Sequence, residues 1–422
     1  MVQPDIKRNI GKFIEIIQGL DSALNESFNA LSRAVAGGEA QLQDFIADKL
    51  ELSELEGKNV YRFRQNGHHA DSIQSLIGSY RNFFFARKTL ERSKASCRNL
   101  PRTFFMMLAH AYDEYVGALC KSLFYLRPEL LERSGTSLTF AELSKFESLE
   151  SAREYLVERE IDSLLRKSHV EQVIWLEEKF GIDLRTDLAA PPEFIELMER
   201  RNLHVHNDGI VSARYLEICG QHKVLTGDLK AGDPLEISRE CAGAACDVIY
   251  ETGVKLGDLL WRKVVPEQNA KANAYLQDLT FSLIQEQRIQ LARRLLSFAN
   301  ETLCKYADEN NRFVFLLNGA LAAYLANDKE ECARMLGSQD WSARADILKL
   351  AHSVLTERFA EGASLMRKLG RENRPSKAEY LRWPLFEEFR KTPEFLSAFQ
   401  DVFGDVTLAE GEVRTLQKSA AS

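Results

Sequence analysis

Apolar residues recur at steps of three and four along most of the chain. The first such run, Ile10, Phe13, Ile14, Ile17, Leu20, Leu24 and Phe28, predicts an amphipathic helix over residues 5–35, with Gly37-Gly38 as its stop. A second helix is expected over 71–96. A third begins near Pro101, with Phe104, Phe105, Leu108, Tyr112, Val116, Leu119 and Leu123 on one stripe. Thr139-Phe140-Ala141-Glu142 has the form of a capping box and should open another helix. Ala189-Ala190-Pro191-Pro192 interrupts the pattern. A proline is well tolerated in a first helical turn, so a helix is predicted over 193–206. Residues 215–225 are mixed, either a loop or a small strand pair. Ser238 then caps a helix with Val248, Ile249, Val254, Leu256, Leu259 and Leu260 inward; Val264-Val265-Pro266 ends it, and the polar run 267–271 reads as a linker.

Beyond the linker the texture changes. Residues 315–337 and 347–370 align at an offset of 30, matching Leu325 with Leu355, Ala333 with Ala363 and Leu336 with Met366. Small residues stand where two helices would touch, the logic of stacked helix pairs. The expected fold is therefore all-α, with a helical bundle over 1–266 and a helical-repeat region of the tetratricopeptide kind over 272–422. The segment 375–399 supplies closing helices, with Trp383 and Phe386 packed inward.

Composition agrees with long helices: 45% of the residues are hydrophobic, 28% are charged, and only 23 of 422 are glycine. No window approaches a membrane span, and the charged amino terminus lacks the apolar stretch of a secretory signal, so a cytoplasmic protein without membrane contact is expected. Seven cysteines in no CxxC arrangement suggest neither a disulfide framework nor a zinc ribbon. With a net charge of −7, any polyanion must be met by a local patch. One such patch lies between Arg81 and Arg102, where Arg81, Arg87, Lys88, Arg92, Lys94, Arg98 and Arg102 oppose the single acid Glu91. Arg87, Lys88 and Arg92 are its candidate RNA contacts, and Phe83-Phe84-Phe85 offers rings for base stacking, against the ordinary reading of a solvated face and core phenylalanines. His110, among apolar neighbours, reads as a core or interface histidine.

The densest chemistry is ERRNLHVHNDG, residues 199–209. On a helix Asn202 and His206 share a face, Arg201 sits beside them, and His204 falls three residues after Arg201. A histidine near a helix end before Asn-Asp-Gly is also ordinary capping chemistry. As zinc ligands His204 and His206 diverge by roughly 200° on a helix, and no further ligand is near, so no metal or other cofactor is expected. Arg200 with His204 forms a competing pair one register over. Asp208 either caps the next segment or accepts a hydrogen bond from a motif residue.

Arg201-Asn202-Leu203-His204-Val205-His206 is an R-x4-H arrangement with a polar residue directly after the arginine. It resembles the motif of the HEPN superfamily (higher eukaryotes and prokaryotes nucleotide-binding domain). The likeness extends over ERRNLHVHNDGIVSARYL, including the Asn-Asp-Gly turn and Tyr215-Leu216. The resemblance implies a metal-independent endoribonuclease that acts as a homodimer on RNA, in phage defence or toxin-like growth arrest. His206 would be the general base or acid, Arg201 would hold the scissile phosphate, and Asn202 would orient one of them; His204, Arg200 and Asp208 are auxiliary. Arg201 and His206 stand roughly 140° apart on a regular helix, which favours a composite site in which the 193–206 helices of two protomers face one cleft. The carboxy-terminal repeats would then sense a ligand or dock a protein. The rival is a non-catalytic scaffold that dimerises or binds nucleotide.

Overall fold

A computed structural model of the chain describes residues 5–55, 58–63, 69–131, 137–184, 192–302 and 309–404. The chain divides into two compact units, Met1–Gly257 and Asp258–Ser422. The division falls before the expected boundary at 266–272, inside the helix expected to end at Val264-Val265-Pro266. Among the described residues no helix is long and apolar enough to cross a membrane.

The first unit is built on two long helices, α1 (Ile6–Lys49) and α2 (His69–Leu126), which pack against each other. Between them strands β1 (Leu50–Leu55) and β2 (Lys58–Phe63) pair antiparallel, with Leu50 opposite Phe63. Both helices outrun their sequence stops. Gly38 does not end α1, because a Cβ there would lie 3.3 Å from Leu90 of α2: the small residue marks a close helix crossing. Pro101 removes one backbone N–H from the middle of α2 without ending it. The helix is instead held along its length by a seam that includes buried Leu90, Phe105, Leu108, Tyr112, Val116 and Leu119. His110 is exposed and so is not a core histidine, since it falls on the face opposite that seam.

The Thr139 capping box forms as expected, but α3 (Phe140–Leu143) is one turn long. Two longer helices follow, α4 (Leu149–Leu165) and α5 (His169–Phe180), capped by Ser148 and Ser168. The interruption at 189–191 lies outside the described residues. Helix α6 (Pro192–His206) starts on its proline, and α7 (Ala213–Gln221) occupies the segment expected as loop or strands. Ser212 caps α7, and Tyr215 and Cys219 anchor it. Helix α8 (Arg239–Val264) begins after Ser238, whose hydroxyl accepts from the Cys241 N–H at 3.1 Å.

Among the described residues of the second unit the regular elements are all helices. The expected linker belongs to structure: a 3-10 turn, Pro266–Gln268, runs into α9 (Asn269–Gln285), because Asn273 is fully buried and accepts from Arg262. There follow α10 (Ile289–Glu301), α11 (Glu309–Leu325), α12 (Lys329–Gly337), α13 (Asp346–Leu355) and α14 (Phe359–Leu369). The aligned segments are α11–α12 and α13–α14. A third pair, α9–α10, shares their turn although its sequence does not show it. Arg288, Asp328 and Arg358 each donate a backbone bond five residues back, to Leu283, Ala323 and Ser353, at 2.9, 2.9 and 2.8 Å. The residue before each, Gln287, Asn327 and Glu357, takes a left-handed φ of 60°, 61° and 57°. This is a Schellman turn closed by a non-glycine residue. The short α15 (Lys377–Arg382) and α16 (Pro393–Phe403) close the unit over buried Tyr380, Phe386, Phe389, Phe395 and Phe399. Phe386 packs inward as expected; Trp383 is only half buried, because it borders an open groove.

A left-handed φ costs a side chain with a Cβ roughly 1–2 kcal/mol that glycine avoids, part of which returns through glycine's freer unfolded chain. Gln287 is exposed, so Gln287→Gly should stabilise the second unit by about 0.5–1 kcal/mol. A rise in the urea midpoint is the expected reading. A fall would mean that the turn does not hold this conformation.

Candidate active site

Helix α6 carries two sets of side chains. Phe194, Ile195, Leu197, Met198 and Leu203 are buried and fix its rotation. That rotation places Arg200 and His204 on the packed side. The Arg200 Nε donates to Glu196 at 2.7 Å and its Nη1 reaches the Cys241 Sγ at 3.2 Å. The Tyr215 hydroxyl also donates to Glu196, at 2.6 Å, so the tyrosine of the family-like stretch braces the helix. His204 is buried beneath the turn that follows. A Cβ on Gly209, at φ 76°, would lie 2.6 Å from the His204 Cε1, which is why glycine stands there. Burial and the nearby Arg102 guanidinium push the His204 pKa down, against a smaller pull from the Leu235 backbone, and so disfavour the charged ring.

Arg102 of α2 closes the helix end, donating to the His204 carbonyl at 2.7 Å and to Asp208 at 3.1 Å. Asp208 thus neither caps the next segment nor meets a motif residue. Its left-handed φ of 46° turns it outward to Arg102.

The other set faces a cleft of about 510 Å³ between α2, α5, α6 and α7, lined by Arg201, Asn202, His206, Asp113, His169 and Glu199 among others. At its floor Asp113 of α2 bridges two side chains: one oxygen accepts from the Arg201 Nη2 at 2.9 Å, and the other lies 3.2 Å from the His169 Nε2. Arg201 also donates to the Asn202 side chain at 3.1 Å, and Asn202 donates to Glu199 at 3.3 Å. His206 is exposed at the cleft margin. One chain therefore brings Arg201, Asn202 and His206 to the lining of a single cavity. An arginine side chain is long enough to come round the helix, and Asp113 draws it there. His204 and His206 point to different sides of α6, and among the described residues no cluster of three His, Cys, Asp or Glu side chains is placed to hold a metal ion.

Burial alone would raise the Asp113 pKa, but the hydrogen bond and charge of His169, the Arg201 charge and Gln172 together hold it below the ordinary value. A carboxyl that titrates below its unfolded pKa of about 3.9 contributes stability that is complete above that value and is lost as pH falls through the lowered folded pKa. Asp113→Asn should therefore cost about 2 kcal/mol at pH 7, as loss of charge-assisted hydrogen bonds does. The gap from wild type should narrow as denaturation is repeated below pH 4. A gap independent of pH would show that the carboxylate is not engaged.

Four cations line the cleft, Arg166, Lys167, Arg201 and Arg214, against the carboxylates Asp113 and Glu199. This is a local positive excess that the net charge of −7 conceals. Arg87, Lys88 and Arg92 are not part of it. They lie 21 to 26 residues before Asp113 on α2, roughly 30–40 Å along the axis. Asp113 and His169 escape a reading of the sequence by motif. Their signals were an acid inside the apolar stripe, at Tyr112-Asp113-Glu114-Tyr115, and a histidine opening a helix after the box Ser168–Glu171.

A separate groove of about 450 Å³ lies in the second unit, lined by Phe281, Leu317, Leu321, Leu355 and Trp383, with Arg374 and Glu379. Compared with family models, curated proteins and solved structures, the chain gives no match.

Proposed function

We propose that the chain is a metal-independent endoribonuclease of the HEPN kind, with its reaction centre in the cleft of the first unit. The observation that carries this reading is the convergence of Arg201, Asn202 and His206 on one cavity whose floor is the Asp113 bridge to Arg201 and His169. In the proposed reaction the 2′-hydroxyl of RNA attacks the adjacent phosphorus. A base takes its proton, the O2′–P bond forms, the P–O5′ bond breaks, and an acid protonates the departing O5′, leaving a 2′,3′-cyclic phosphate. His206 is exposed and serves as base or acid. His169, held by Asp113, is a second imidazole in the cleft for the complementary transfer. Arg201 steadies the charge that grows on the phosphate.

The homodimer rests on the family likeness and on the roughly 140° that separates Arg201 from His206 around a regular helix. The groove among the helix pairs suits a protein partner or sensor ligand that governs the nuclease, in keeping with phage defence or toxin-like growth arrest. One observation favours the non-catalytic scaffold: Arg201 is already paired with Asp113, so a phosphate must compete for its guanidinium. Incubating the chain with labelled RNA in EDTA and mapping the ends separates the two. Cyclic-phosphate termini support the nuclease; an intact substrate with retained nucleotide binding supports the scaffold.

A further inference from the structure

The distal half of α2 turns an unusual face outward. Residues 77, 80, 81, 84, 85, 88 and 92 fall within an arc of roughly 140° at 100° per residue. Ile77, Tyr80, Phe84 and Phe85 on that arc are 63%, 62%, 50% and 52% exposed. The opposite side of the same turns holds Phe83, which packs on Phe45 at 5.4 Å, and buried Leu90, so the helix is not free to rotate these rings inward. The three consecutive phenylalanines are thus split, one into the seam and two outward.

Cations alternate with the rings. The Arg81 guanidinium lies over the Phe85 ring at 5.6 Å, and Lys88 and Arg92 continue the line. Among the described residues Arg81, Lys88 and Arg92 make no ion pair, whereas the acid on this stretch, Glu91, is occupied by Arg87 at 3.0 Å. The face runs about 22 Å, fifteen steps of 1.5 Å, and carries excess positive charge throughout. A second copy of the same face would bring like charges together. A polyanion that offers flat apolar surfaces would satisfy rings and cations at once.

We propose that this face of α2 binds single-stranded RNA, with Phe84 and Phe85 as stacking platforms for unpaired bases and Arg81, Lys88 and Arg92 along the backbone. The choice of RNA over DNA rests on the ribonuclease reading; the preference for an unpaired strand does not. A duplex hides its base faces in its own stack, so only the unpaired strand gains from the rings. The site lies roughly 40 Å along α2 from the cleft and would hold substrate without touching the scissile bond.

Fluorescence anisotropy of the full chain with a labelled 2′-O-methyl oligouridine, which cannot be cleaved by 2′-oxygen attack, tests the site apart from catalysis. Phe84→Ala/Phe85→Ala should weaken binding about tenfold or more. Lys88→Gln/Arg92→Gln should lower the slope of log affinity against log salt by about 1.4. A matched duplex bound as tightly as the single strand, or unchanged affinity in the Phe84→Ala/Phe85→Ala chain, overturns the proposal. So does a Phe84→Ala/Phe85→Ala chain that loses self-association in ultracentrifugation and keeps its RNA affinity, because a second copy then covers the face. Binding without any cleavage of ordinary RNA would remove the nuclease and leave this site standing; cleavage without this binding would do the reverse.

Discussion

His206→Ala is expected to reduce RNA cleavage by about 10²–10⁴-fold, the range associated with loss of a general acid or base. Arg201→Ala should lose about 10²–10³-fold through the phosphate charge it no longer stabilises. The stability consequences differ in an informative way. His206 is exposed, so its removal should leave the melting temperature near that of the wild type. Arg201→Ala frees one oxygen of Asp113 and should destabilise modestly. His204→Ala should behave in the opposite sense: it empties the space beneath Gly209 and loosens the turn, lowering stability while reducing cleavage less than His206→Ala. Cleavage by the wild type should persist in EDTA. If His204→Ala proves the more damaging to chemistry at equal folded fraction, the register assigned to α6 is wrong. Activity that disappears with EDTA and returns with zinc would end the metal-independent mechanism.

The largest structural effect is expected at the small residues of α8. A Cβ at Gly253 would overlap the ring of Phe13, and one at Gly257 would overlap the Tyr115 hydroxyl and lie 2.9 Å from the Ile10 Cγ1. Phe13, Ile10 and Tyr115 are themselves buried, Phe13 stacks on Tyr115 at 4.3 Å, and the Tyr115 hydroxyl donates to the Gly253 carbonyl at 3.0 Å. None of them has room to withdraw. Gly253→Leu should therefore cost about 3 kcal/mol or more, the upper range for overpacking a core. Asp113 lies two residues from Tyr115, so the displacement should also reach the cleft floor. Gly243→Ala on the same helix is the control. Nothing lies within 4 Å of a Cβ there, and alanine should stabilise by up to about 1 kcal/mol through helix propensity. Thermal melts of both variants decide. Equal effects at the two positions would mean that α8 does not approach α1 and α2 as closely as the geometry requires.

What the sequence by itself determined follows from local periodicity and local caps. The apolar stripe of α1, the Thr139 box, the starts at Pro192 and Ser238, and the helix pairs after residue 309 each depend on residues within a few positions of one another, and each has its element in the structure. Spacing alone puts Asn202 and His206 on one side of α6, whereas Arg201 reaches the same cleft through its contact with Asp113 on another helix. The remainder depended on neighbours distant in sequence. Gly38 and Pro101 look like stops until α1 and α2 pack along their lengths, and the third helix pair was hidden because turn geometry, not residue identity, repeats at Gln287, Asn327 and Glu357. Phe83 and Phe84 are equally apolar, and only the contact with Phe45 decides which of them turns inward. Asp113 is 88 positions from Arg201 and 56 from His169 along the chain. Tertiary packing alone makes it the anion between them, since an ion pair across three helices leaves no period in the sequence from which it could be read.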